Sequence, residues 1–307
     1  MHHPPSAGLE IWAATPTPFG PDGELRPDVV GEQARHLAEA GVNGVFVGGT
    51  TGEFAALSTA ERLELAAAWA AYRPPGLRLG VHVGHTVLGE ATALARQAAE
   101  RGADMIAAVA PYYGSPSGVE AVVDHLAEIA AAAPGVPFCY YHVPEMSGLR
   151  VPASAVTAAA AKRIPAFGAV KFTDGDLLEF ARTQEVSPHV RVYFGRDELL
   201  PAALGMGGRA VIGSLYNFLA PAAREVYAAA VSGRLDDAMR LHRPFREVAA
   251  VAARYGALPV VKELTALLGG PDTGRCRSPW HRLDGAALDD VRGLADRLGA
   301  PGNAADQ

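Results

Sequence analysis

The sequence predicts a (β/α)8 TIM barrel with additional C-terminal helices. Three observations carry this. Eight short apolar, β-branched runs alternate with longer Ala- and Leu-rich segments bearing charge at helical spacing. The eight pairs fill roughly 225 residues, the rhythm of that barrel. The turn after the first run, "TPTPFGPDG", lacks the GxGxxG that a doubly wound nucleotide-binding sheet would place there.

Taken in order, "EIWAAT" over 10–15 is the first strand, with a helix near 27–40. "NGVFVGG" (43–49) is the second, followed by the helix "TAERLELAAAWAAY" (59–72). "LRLGVHVG" (77–84) precedes a helix near 88–101, and "DMIAAVA" (104–110) one near 118–133. "VPFCYYH" (136–142) leads to a helix near 153–162, and "AFGAVKF" (166–172) to one near 174–184. "VRVYFG" (190–195) is followed by a short helix near 197–205, and "RAVIGS" (209–214) is the eighth strand. From about 219 the pattern is helical only, broken by Gly and Pro near 233, 256 and 270. Residues 1–218 are thus expected as the barrel core. Residues 219–299 are the last barrel helix and a helical extension of the same unit, and 300–307 a frayed tail.

A chain of 307 residues buries a sizeable core. Its 49% hydrophobic and 20% charged residues are those of a soluble globular protein. The net charge of -6 argues against a nucleic-acid or anionic-membrane binder, which needs a basic face, yet leaves room for an anionic small substrate. Cys139 and Cys276 form neither a disulfide framework nor a zinc spacing, so two free thiols in a reducing, cytoplasmic compartment are expected. "MHHPPSAGLE" has no signal-peptide pattern, and no apolar run reaches the roughly 18 residues of a membrane span.

In such a barrel, chemistry gathers where strands end. The polar residues just beyond each apolar run are Thr50, Thr51 and Glu53; His82 and His85; Tyr112 and Tyr113; Tyr140, Tyr141 and His142; Lys171 and Thr173; Asp197 and Glu198; and Ser214 with Tyr216 and Asn217. Lysine is scarce, present only as Lys162, Lys171 and Lys262, although codon bias also explains that. A lysine at a strand end in a partly apolar pocket loses hydration, which favours the neutral amine. Lys171 then has two readings: a nucleophile forming a Schiff base with a ketone, or a side chain snorkelling to solvent or paired with a carboxylate such as Asp174. The tyrosines shuttle protons or simply pack. "GGTTGE" is a carboxylate-holding nest or a plain turn. His82 and His85 lack a third ligand and the spacing of a metal site, and no metal is expected. "GMGG" (205–208) is a phosphate approach or a simple helix-to-strand turn.

With these residues in place, the sequence resembles the pyruvate-dependent lyase and synthase family that includes dihydrodipicolinate synthase and N-acetylneuraminate lyase. The motifs are "GGTTGE", "PYYGSP", "YYHVPEMSG", "GAVKFTDGDLLEF", "FGRDELL" and "GSLYN", and the likeness runs from "AATPTPFGPDGEL" to "GRCRSP". The resemblance implies a barrel with C-terminal helices, assembled as a homotetramer and using no cofactor beyond a covalent Schiff base with a keto acid. It makes Lys171 the Schiff-base lysine and Tyr141 the proton-shuttling phenol. Thr50 and Thr51 hold the keto acid carboxylate, and Tyr113 reaches into a neighbouring subunit's site. The synthases carry an arginine after the Y-N-V-P segment; here Met146 stands there and cannot clamp a second carboxylate. Thr173, Gly195, Asp197, Glu198 and Ser214 match the positions by which the lyases hold a polyhydroxylated chain. The activity this implies is cleavage of N-acetylneuraminate to pyruvate and N-acetylmannosamine. The alternatives are a synthase, a 2-keto-3-deoxy sugar acid aldolase or dehydratase, and a non-catalytic sugar-acid-binding regulator.

Overall fold

The computed structural model describes residues 8–114 and 116–299. Among these, eight parallel strands close a barrel in sequence order. They are β1 (Glu10–Ala14), β2 (Gly44–Val47), β3 (Arg78–His82), β4 (Met105–Val109), β5 (Phe138–His142), β6 (Phe167–Phe172), β7 (Arg191–Phe194) and β8 (Ala210–Gly213). The barrel helices are α1 (Val30–Glu39), α2 (Thr59–Tyr72), α3 (Leu88–Glu100), α4 (Val119–Ala131), α5 (Pro144–Ser147), α6 (Ala153–Arg163), α7 (Leu177–Glu185), α8 (Leu200–Gly205) and α9 (Ala220–Val231). Beyond them come α10 (Leu235–Leu241), α11 (Arg243–Tyr255), α12 (Ala257–Leu267) and α13 (Gly285–Gly299). The tail expected to fray, and Ser115 of "PYYGSP", lie outside the described residues.

Each strand is buried on both faces, as parallel strands wrapped by helices must be. Alternate residues therefore divide between two cores. Ile11, Val45, Leu79, Ile106 and Val170 pack outward against helices. Trp12, Phe46, Met105, Tyr141, Tyr193 and Ile212 fill the barrel interior. At the N-terminal end of the barrel the filling becomes polar. Glu10 accepts hydrogen bonds from Trp12 Nε1 (3.0 Å), Tyr193 Oη (2.9 Å), Arg78 (2.6 Å) and Arg191 (3.0 Å). Burial pushes the Glu10 carboxyl up, but the Trp12 bond and the two arginine charges outweigh it and hold the group below its ordinary range.

Local chemistry sets the helix starts. Ser58 and Glu61 form a reciprocal capping box at α2, so that helix spans the residues the sequence predicts. Asp176 caps α7 by accepting from the Glu179 amide at 2.9 Å, which starts that helix at Leu177 rather than near 174. The four-residue α5 is not legible in the periodicity because it is too short to show one. "GMGG" is a turn: the Gly208 amide donates to the Ala203 carbonyl at 2.8 Å and the chain leads into the start of β8, at the end of the barrel opposite the C-terminal strand ends. No helix among the described residues is long and apolar enough to cross a membrane.

Trp12 occupies the interior beside Gly44, where an added Cβ would lie 2.7 Å from the indole ring. Gly44→Ala is therefore expected to cost about 1–3 kcal/mol through overpacking, read as a lower urea midpoint with an unchanged slope.

Candidate active site

Lys171 projects inward near the C-terminal end of β6. Its lateral neighbours are Tyr141 on β5 and Tyr193 on β7. The side chain is 4% exposed. Its Nζ lies 4.2 Å from the ring centroids of both Phe46 and Tyr141. Among the described residues no carboxylate stands within ion-pair distance of it. Asp174 approaches His142 Nε2 instead, at 3.8 Å. Strand alternation explains this, because His142 and Phe172 point outward and stack on each other at 5.2 Å. Burial lowers the His142 ring against the opposing charge of Asp174. Of the two readings of Lys171, the snorkelling or Asp174-paired side chain is not what forms.

The phenol of Tyr141 meets Thr50 Oγ1 at 3.1 Å. Its ring is fixed edge-on by Phe46 and by His82, each centroid 5.8 Å away. Thr51 Oγ1 meets Ser214 Oγ at 2.7 Å, tying the turn after β2 to the end of β8. His82 supports this turn. Its Nδ1 donates to the Gly48 carbonyl (2.9 Å), while Nε2 accepts from the Val109 amide (3.4 Å). Burial, aided by the charge of Arg62, keeps the ring well below its ordinary range and therefore neutral. Arg62, itself buried, donates to the carbonyls of His82 (2.7 Å) and Gly84 (2.9 Å), and burial lowers it to about 10.

Beyond β7, Asp197 is 5% exposed. Its Oδ2 accepts from the Leu215 amide at 2.8 Å. Its Oδ1 lies against Gly213, where an added Cβ would come within 1.6 Å of it, and has no hydrogen-bond partner. Burial pushes this carboxyl up to about 7, opposed by the Leu215 amide, reinforced by the charge of Glu198 and opposed again by Lys171 and Tyr216. Thr173 Oγ1 is likewise buried and unpartnered, beside Gly195, whose amide donates to the Phe172 carbonyl at 2.8 Å. Glu198 is half-buried and faces Arg196 at 3.7 Å. Arg196 also bridges to Glu145, next to the exposed Met146, at 2.9 Å.

Within one chain, then, Lys171, Tyr141 and Thr50 converge, and Thr51 joins Ser214. Tyr113 does not join them. Its side chain is fully exposed and its φ of 72° is left-handed, uncommon for a tyrosine. Two surface cavities, of about 720 and 480 Å3, involve none of these residues. One lies against α12 and α13, the other between residues 20–23 and 275–282.

A family model described as the dihydrodipicolinate synthetase family matches residues 8–297. The chain belongs to that family. An N-acetylneuraminate lyase of Pongo abelii is 36% identical over 277 residues, covering 88% of this chain and 86% of the relative. The solved Proteus mirabilis N-acetylneuraminate lyase is 31% identical with a TM-score of 0.90, over 94% of this chain and 98% of that one. An N-acetylneuraminate lyase (sialic acid aldolase) from Aliivibrio salmonicida is 30% identical at a TM-score of 0.90, over 95% and 96%.

In this family member, sequence reasoning missed Phe46 as a wall of the lysine pocket, Arg62 as a support for the strand 3 end, and Lys262. The last had a signal: a rare lysine inside the apolar helix "ALPVVKELTAL".

Asp197 yields a pH prediction. Its folded-state value of about 7 lies above its ordinary 3.8. Between those values the unfolded chain ionises while the folded chain keeps the proton, so this group lowers stability as pH rises through that window. Asp197→Asn removes the effect, and the melting temperature of the variant relative to the parent protein should climb from pH 4 to pH 7.

Proposed function

We propose that the chain is a class I aldolase that cleaves N-acetylneuraminate to pyruvate and N-acetylmannosamine. One observation carries it. Lys171 Nζ is enclosed by two aromatic rings, has no carboxylate, and stands beside a phenol already bonded to a threonine hydroxyl. An amine so placed can add to the C2 ketone of the open-chain substrate and, with loss of water, form an iminium. The C3–C4 bond then breaks and its electron pair passes into the iminium, giving an enamine. Tyr141, linked to Thr50, takes the C4 hydroxyl proton as C4 becomes the aldehyde of the departing sugar. Protonation at C3 and addition of water release pyruvate and restore the amine.

Thr50 and Thr51 hold the keto acid carboxylate near the lysine. The unpartnered Oδ1 of Asp197 and Oγ1 of Thr173, with Glu198, Gly195 and Ser214, suit the hydroxyls of a sugar chain. Buried polar atoms without partners are rare unless something polar is to meet them. Met146 offers no cation for a second carboxylate, which favours a sugar over the aldehyde acid of a synthase. The relatives described above carry the lyase name, which supports the same choice. The reading extends to a cytoplasmic homotetramer in which Tyr113, exposed in the single chain, reaches a neighbour's site. It invokes no metal.

Three outcomes are expected. Borohydride with pyruvate should label one lysine irreversibly, and peptide mapping should place the label on Lys171. Tyr141→Phe should still be labelled while kcat for cleavage falls by about 10²–10⁴. Pyruvate release from N-acetylneuraminate, unaffected by a strong chelator, should exceed release from a panel of 2-keto-3-deoxy acids in kcat/KM. A preference for one of the latter would overturn the substrate assignment.

A further inference from the structure

Glu53 closes the threonine turn. Its amide donates to the Thr50 carbonyl at 2.9 Å, and its side chain is wholly buried. Its backbone is left-handed, with φ 55° and ψ 35°, a conformation that a glutamate keeps only where the surroundings over-determine it. The surroundings are the C-terminal helices. Lys262, on α12, brings Nζ to 2.8 Å from Glu53 Oε1. Nζ also lies within hydrogen-bonding distance of the carbonyls of Thr17 (2.8 Å), Arg275 (3.3 Å) and Thr273 (3.5 Å). The Arg277 amide donates to Glu53 Oε2 at 2.8 Å. Thr17 closes the circuit, its hydroxyl donating to the Gly52 carbonyl at 2.6 Å.

A buried ion pair is a poor source of stability, because desolvation cancels most of the attraction and an apolar pair of similar volume folds as well. What a pinned charge pair supplies is a fixed position. The Lys262 ion pair, the Arg277 amide and the Thr17 hydroxyl all meet residues 52–53, immediately behind the two threonines. We propose that Glu53 and Lys262 are positioning residues for Thr50 and Thr51, which makes α12 part of the substrate-binding machinery. The inference rests on the aldolase reading, because it assumes that the threonines hold a keto acid carboxylate.

The test measures borohydride trapping of the unmodified enzyme and of Glu53→Gln, Lys262→Met and the double variant across pyruvate concentrations. In each single variant, the half-saturating pyruvate concentration should rise about ten-fold, with the trapping rate at saturation little changed. Removing both charges together should restore part of the affinity, since neither partner is then left buried alone. A merely structural pair would lower the melting temperature without this split. Folded single variants with unchanged half-saturation overturn the proposal, as does a loss confined to the saturated rate. Glu53→Gln preserves side-chain size and carries the test if Lys262→Met does not fold. Failure of the unmodified enzyme to trap pyruvate would instead refute the aldolase reading.

Discussion

The parallel barrel buries both faces of every strand, and most of what the site does follows from that constraint. With no solvent face, a polar side chain on a strand has two choices: the interior of the barrel or the layer beneath the helices. Alternation decides between them. It sends Tyr141 and Lys171 inward from adjacent strands in direct register, and sends Tyr140, His142 and Phe172 outward. The lysine thereby acquires ring faces as its immediate company and loses the carboxylate three residues away. The aromatic enclosure and the missing counter-charge are one geometric fact.

Much of this was legible beforehand. Parallel strands read as short continuous apolar runs, which is why all eight appear in the sequence within a residue or two of their observed bounds. Lys171, Tyr141, Thr50, Thr51, Thr173, Asp197 and Ser214 stand out as candidates because each lies at or just beyond the end of such a run, and in this architecture the end of a strand is an address. The pairing of these residues was not legible. That Thr51 would meet Ser214 depends on β1 and β8 closing the barrel, and that Asp174 would meet His142 depends on which side of β6 the chain leaves. Lys262 escaped for a different reason. It is far along the chain from the turn it supports, and helical periodicity marks it only as a charge on an apolar face.

The C-terminal helices bear on the same point. They come after the barrel is complete, and composition alone gives them no task. Yet His242, just before α11, places Nε2 2.9 Å from the carbonyl of Asp197, and Lys262 of α12 grips the turn after β1. Burial lowers the His242 ring to about 4, opposed by its bond to the Asp197 backbone carbonyl, and so keeps it neutral. The extension thus braces two of the loops on which the rim is built.

The polar cluster around Glu10 has a kinetic consequence. With one carboxylate drawing Trp12, Arg78, Arg191 and Tyr193 together, the far end of the barrel is stoppered. Lys171, Tyr141 and Thr50 lie toward the other end, so among the described residues the interior is closed on the side away from them. On the aldolase reading proposed above, a substrate held covalently by Lys171 and split in its middle would release first the fragment farther from that closed end. The tethered fragment then waits for water to follow it down.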